Sequence, residues 1–356
     1  MTRCYGKNHI YNKTEACHNI KTYTSFSGLK ISSPKVILAR SLERPEENMK
    51  KTYIGGQAII EGVMMRGRKV CAMAVWSSKT EITIEKMPVS DLPNRVKLFK
   101  LPIFRGMAAF FDSLITGTKI LNRSAEIAWD AVEEEEPSEF EKKMEKLFGA
   151  KFSDIMIYIS VVISLMIGIA LFVALPVFVG NLFKPYLPGQ WLLGVIEGLI
   201  RLAIFMIYLT IISHMKEVKR LFKYHGAEHK TINCFEAGDP LTVENVRKHS
   251  REHRRCGTSF LLVVMLISMI VFFFIRTDTV MMRLVTRLIL IPFVAGISYE
   301  FIKWAGSSDS RASYILSRPG MRLQQMTTLE PEDEMIETAI AAMEGVLEDE
   351  GDNPYL

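Results

Sequence analysis

Cysteine is scarce in this chain and scattered. Cys4, Cys17, Cys71, Cys234 and Cys256 make an odd number, with no CxxC pair among them. No secretory apolar region precedes them, so a disulfide framework is excluded and reduced thiols facing the cytosol are expected. A strong charge of one sign is lacking too: 44 Lys and Arg against 39 Asp and Glu leave +5 over 356 residues. That surplus, without a zinc-finger, RRM-like or KH-like pattern, argues against nucleic acid as a partner. Apolar residues still reach 49% beside 23% charged ones, so they must be concentrated, and they are, between residues 153 and 305.

Within that stretch charge itself disappears. Ile155 to Gly180 is a run of 26 residues without a charged side chain, where roughly 20 suffice to cross the hydrocarbon core. Trp191 to Ser213 follows after a Pro185, Pro188 and Gly189 turn, broken only by Glu197 and Arg201. Thr258 to Ile275 and Met281 to Trp304 make a second pair, the last holding Arg283, Arg287 and Pro292. The spans are therefore set at about 155–180, 191–213, 258–275 and 281–304, as two helical hairpins. Segment 214–257 carries ten cations, Lys216, Lys219, Arg220, Lys223, Lys230, Arg247, Lys248, Arg251, Arg254 and Arg255, whereas the connections at 181–190 and 276–280 hold Lys184 and Arg276. Since cations are retained on the cytoplasmic side, both termini and the central segment are expected there, in a multi-pass inner-membrane protein. Glu197 and Arg287 lie about seven residues into spans that start from the same face, so they are expected to pair, with Glu197–Arg201 as the other option. They are read first as a structural clamp between the hairpins, with a transport pathway or proton relay as the alternative.

The flanking parts are of other kinds. Residues 1–48 are polar and acid-poor, with no apolar period, and are expected to be disordered. A transit peptide, or a start at Met49, would account for them. Domain 49–135 contains strand-like runs at Ala58 to Met65, Val70 to Ser77 and Glu81 to Met87, then a helical pattern from Pro102 to Trp129 that carries too many charges for a span. Gly55-Gly56-Gln57 is read either as close packing or as an approach to a ligand. An acidic linker and short amphipathic helix occupy 136–152. In the tail, 306–356, Pro319-Gly320 is expected to turn the chain. Met335, Ile336, Ala339, Ile340, Met343 and Leu347 then form an apolar stripe fit to cover the strands.

The sharpest signal is histidine. Four of the seven fall in 225–253 with Cys256 just beyond. His225-Gly226-Ala227-Glu228-His229 has H-x-x-E-H spacing, which on a helix sets the two imidazoles one turn apart on one face. A second helix, expected over Val243 to Arg255, would present His249 and His253 at the same interval. A hairpin could then converge His225, His229 and His253, with Cys256 as a fourth ligand, on one zinc-type divalent cation. Glu228 would be the catalytic general base that activates water, as in the inverted zincin motif. The other reading is an ion-paired cluster that binds anionic headgroups. His249 is the weakest ligand candidate.

Gly55 to Ala58, Glu61 to Gly67, His225 to Lys230, His253 to Phe260, Pro319-Gly320, Thr327-Thr328 and Glu330-Pro331 together resemble the YqhQ-like bacterial membrane family, over residues 50 to 348. The resemblance implies metal dependence, with His225, Glu228, His229, His253 and Cys256 at the motif positions, and it supplies no substrate. The expected fold is an α-helical polytopic membrane protein, four transmembrane helices in two hairpins, with a small cytoplasmic α+β N-terminal domain. The expected function is metal-dependent hydrolysis at the cytoplasmic membrane face. The alternatives are a non-enzymatic scaffold or regulator with a structural metal, and a small transporter. Expected partners are membrane lipids, a protein docked on the N-terminal domain or acidic tail, and a second copy of the chain.

Overall fold

The computed structural model describes residues 9–12, 52–78, 80–89, 96–129, 152–275, 277, 279–308 and 310–350. The acidic linker expected around residue 136, and most of the N-terminal 48 residues, lie outside the described residues. One piece of that N-terminal segment, expected to lack structure, is a strand: β1, His9–Asn12, pairs antiparallel with β5.

The described residues form one antiparallel sheet of five strands in the order β1-β5-β4-β3-β2, with β2 Gly55–Ile59, β3 Gly62–Arg66, β4 Val70–Ser78 and β5 Glu81–Pro88. The single strand expected over Ala58 to Met65 is a hairpin. The chain reverses at Ile60-Glu61, where Glu61 takes a left-handed φ of 51°, a conformation that gives glutamate no sequence signature. Gly62 follows because a Cβ there would lie 2.2 Å from the Ala74 carbonyl oxygen.

Both faces of the sheet are covered, which is why β4 is buried along most of its length. Val63, Met65, Ala72, Ala74 and Trp76 face α10, Asp333–Glu350, whose Met335, Ile336, Ala339, Met343 and Val346 form the opposing layer. Met64, Cys71, Met73 and Val75 face Ile120, Ile127 and Ala128 of α1, Phe104–Trp129. Salt bridges Arg66–Asp112 at 2.6 Å and Arg123–Glu85 at 2.7 Å tie α1 to the same sheet. At its other end α1 meets α8, Val280–Ser307, so closely that a Cβ on Gly106 would lie 2.6 Å from the Gly296 carbonyl oxygen.

Among the described residues four helices are long and apolar enough to cross a membrane, over Ile159–Tyr186, Trp191–Ile212, Gly257–Phe274 and Val280–Ser307. The first is built from α2, Phe152–Ile169, and α3, Leu175–Phe183, joined by a π-helical turn at Ala170–Ala174. The others are α4, Gln190–Ile212, α7, Gly257–Phe274, and α8. Leu165, Met166, Ile207, Ile211, Ile270 and Ile289 stand exposed along them, as lipid-facing side chains would. Inside, Glu197 accepts from Arg283 Nη1 at 2.7 Å and from Arg287. The depth argument for Glu197–Arg287 thus holds, Arg283 joins the pair, and Arg201 instead donates to the Phe172 carbonyl and Ser268 Oγ.

Two local expectations fail. Pro319-Gly320 does not turn the chain but lies within α9, Arg311–Thr327. There Gly320 lets Ser259 of α7 approach, since a Cβ would sit 2.7 Å from Ser259 Oγ. The helix expected over 243–255 ends early: α6 is Val243–Lys248, capped by Thr242 Oγ1, and residues 249–256 run on without helical backbone.

Candidate metal centre

The site rests on α5, Lys216–Ala237, which enters with Glu217 in its first turn and stops at Gly238 in the left-handed region, φ 79°. Its middle is buried from Tyr224 to Phe235 save Asn233 and the half-buried His225. Gly226 is required there because a Cβ would lie 2.0 Å from the Leu329 carbonyl oxygen. Helical spacing stacks His225 over His229 with ring centroids 4.4 Å apart.

What the rings do is decided from behind. His225 Nδ1 donates to the Thr327 carbonyl at 2.9 Å and His229 Nδ1 to the Arg251 carbonyl at 2.6 Å. With Nδ1–H tied to a backbone acceptor, Nε2 is the atom left to point forward, the arrangement that orients metal-ligating imidazoles. Cys256 comes from the opposite side as the N-cap of α7. Its Sγ accepts from Thr258 N–H at 3.3 Å and lies 3.2 Å from His225 Nε2. One ligand atom from each of His225, His229 and Cys256 lies within 4.8 Å of the others. Bonds of about 2.0–2.3 Å to nitrogen and sulfur fit a cation at the centre of such a group.

Charge agrees with this geometry. Burial pushes the Cys256 thiol up, but hydrogen bonds and charge from His225 and His229 reverse that and hold it well below the usual thiol range. Burial works against a charged His225, and the Cys256 thiolate overrides it, carrying the imidazole up to about 9. The metal-free pair is thus a thiolate beside an imidazolium, two groups whose shared proton a divalent cation can replace. Burial pushes the Glu228 carboxyl up, against the pull of both imidazoles. Its side chain lies against Gly56, where a Cβ would come within 2.6 Å of Glu228 Cγ.

His253 is close, with its ring centroid 5.8 Å from that of His229, but it does not join the three ligand atoms. Its Nε2 sits 3.5 Å from Glu236 Oε2, and Glu236 also takes Arg255 and the Thr52 N–H. The early end of α6 explains this. His253 sits on a non-helical segment, and its ring follows a backbone clamped by Gln324, which accepts from His253 N–H at 2.8 Å and donates to its carbonyl at 2.7 Å. His249 is drawn away altogether, its Nε2 2.9 Å from Asp239 Oδ2.

Gln324 and Asn233, whose Nδ2 donates to the Ser250 carbonyl at 2.6 Å and the Glu252 carbonyl at 3.0 Å, are the residues sequence reasoning missed. Side-chain amides that bond mainly to backbone groups far away in sequence leave no spacing signature. Both hold the loop that delivers Cys256.

The three ligand atoms open on a cavity of about 520 Å³, walled by Gly55, Gly56 and Gln57 of β2, by Phe222 and Glu228 of α5, and by Leu261 of α7. The cavity therefore lies between the sheet and the apolar helices. Of the two roles considered for the glycine pair, close packing is seen, with Gly56 against Glu228, and the same backbone lines the cavity. That size suits a small molecule or one end of a larger one.

The family model described as "Protein of unknown function (DUF1385)" matches residues 101–349. A protein of Bacillus subtilis (strain 168) described as "Uncharacterized protein YqhQ" is 37% identical over 298 residues, which is 82% of this chain and 92% of that relative. No solved structure matches.

Proposed function

The chain belongs to the DUF1385 family, and on that premise we propose that it is a metal-dependent hydrolase acting where the membrane meets the cytoplasm. In this reading the four apolar helices cross the inner membrane, and the ten cations of segment 214–257 keep the sheet, the cavity and both termini on the cytoplasmic side. One observation carries the chemistry: three ligand atoms, two imidazole nitrogens and a thiolate, meet on the wall of a cavity rather than inside a closed shell. Three protein ligands with an open position are the catalytic pattern, four the structural one.

A zinc-type cation held by His225, His229 and Cys256 would supply Lewis acidity toward a carbonyl or phosphoryl oxygen. Thr327 and Arg251 carbonyls keep both rings in register. Glu228, as the carboxylate made more basic by burial, would take a proton from water and return it to the leaving group, the work of a carboxyl tuned upward. Leu261 and Phe222 exclude bulk water and accept apolar parts of a substrate presented at the membrane face, a lipid headgroup with its glycerol or a membrane-proximal peptide.

Metal analysis of the purified full chain tests this. About one zinc per chain is expected in the wild type and none in His225→Ala or Cys256→Ser, and equal content in all three removes the site. Glu228→Gln should keep the metal and lose turnover by about 10²–10⁴-fold. Retained metal with unchanged cellular function in that variant would favour the non-enzymatic scaffold.

A further inference from the structure

Four charged side chains lie buried where α4, α7 and α8 meet: Glu197, Arg201, Arg283 and Arg287, the last 4% exposed. Both oxygens of Glu197 are engaged, Oε1 by Arg283 Nη1 and Oε2 by Arg287 Nη2. Arg201 donates to an uncharged carbonyl and a hydroxyl, at 2.8 and 3.0 Å. Among the described residues the cluster thus sets three guanidiniums against one carboxylate. Arg287 Nη1 is buried with no hydrogen-bond partner among the described residues. Leaving a buried charged donor unmatched is costly, and a surplus of buried cations calls for an anion.

The surplus is next to an opening. Arg287 lines a crevice of about 30 Å³ with Gly194, Glu197, Thr277, Arg283 and Thr286. At roughly 10–15 Å³ for each water-sized occupant, that admits about two oxygen atoms. Arg283 is the fourth residue of α8, and Arg287 and Glu197 are the eighth of α8 and α4. At about 1.5 Å per residue these three lie within about 11 Å of those helix starts. The positive ends of both helix dipoles point the same way. Small residues make the room: Gly180 admits Glu197, and Gly194 lies against the Phe272 carbonyl.

We propose that this crevice is an oxyanion site that takes a phosphate group. Arg287 Nη1 supplies the bond left unmade, and Thr277 and Thr286 line the crevice beside it. Guanidinium is the side chain whose fork suits phosphate. The site is on the opposite end of the apolar helices from the histidine cradle and is independent of it. Two sources present the same chemistry there, the headgroup of a phospholipid in the adjacent leaflet and free phosphate.

Thermal unfolding of the full chain in a phosphate-free maltoside detergent separates them. Phosphatidylglycerol, dioleoylglycerol and inorganic phosphate are added in parallel. A rise in Tm of about 5 °C at a hundredfold excess over Kd is expected. A rise with phosphatidylglycerol but not dioleoylglycerol assigns the lipid source, and a rise with inorganic phosphate assigns the free anion. Arg287→Gln should raise the apparent Kd at least tenfold. Should that variant not fold, Thr286→Val, which leaves every ion pair in place, is expected to weaken binding severalfold. No shift in any arm, equal shifts with both lipids, or binding unchanged in the folded variants overturns the site.

Discussion

His225, His229 and Cys256 at one end of the apolar helices, and Glu197, Arg201, Arg283 and Arg287 toward the other, both take charge out of water, by opposite means. The imidazoles and thiolate can exchange protons. Their rear atoms are satisfied by Thr327, Arg251 and Thr258, which leaves two imidazole Nε2 atoms and a sulfur facing a cavity. The guanidiniums cannot give up a proton in a folded protein, and among the described residues their donors outnumber the acceptors around them until Arg287 Nη1 is left without one. An acceptor-rich cradle suits a cation, a donor-rich one an anion. The difference is energetic as well. Removing Glu197 strands two buried positive charges, whereas removing Cys256 leaves imidazoles that can become neutral.

The largest expected effect lies in the guanidinium cluster. Glu197→Gln should cost about 3–5 kcal/mol of stability, the range for breaking one partner out of a buried ionic group, read by denaturant unfolding in mixed micelles. Cys256→Ser should cost no more than about 1 kcal/mol in the metal-free protein, near the net worth of one hydrogen bond. Its effect should appear instead in binding, as a loss of zinc affinity greater than about 100-fold, beyond the 10- to 100-fold typical of outer-shell changes. Titration with a competing chelator reads it. Comparable stability losses in the two metal-free variants would erase the distinction between a clamp and a cradle.

The parts legible in the sequence were those with a period or a depth. Apolar runs located the four apolar helices to within a few residues at most ends, and counting residues from a common face offered Glu197–Arg287 beside Glu197–Arg201, of which the first is found. H-x-x-E-H spacing brought His225 and His229 together because a helix makes that placement obligatory. What failed was set by tertiary contact. Glu61 turns the β2–β3 hairpin in a conformation usual for glycine, and Pro319 stays inside α9 because Gly320 packs on Ser259. His253 was assigned by helical period to a segment that is not a helix. Gln324 and Asn233 act on backbone groups distant in sequence, so no local pattern announces them.

His253 also yields the smallest expected effect and the one that bears most on mechanism. Its Nε2 is directed to Glu236, burial pushes its pKa down, and its backbone is held by Gln324 whatever its side chain. His253→Ala should therefore leave Cys256 in place and weaken zinc by about tenfold at most, the lower end of outer-shell effects. The same chelator titration reads it beside Cys256→Ser. If instead His253→Ala strips the metal as completely as Cys256→Ser does, the ring swings from Glu236 to complete a four-ligand shell. Such a shell has no position for substrate, and the cradle would then staple α5 to the start of α7 rather than perform hydrolysis.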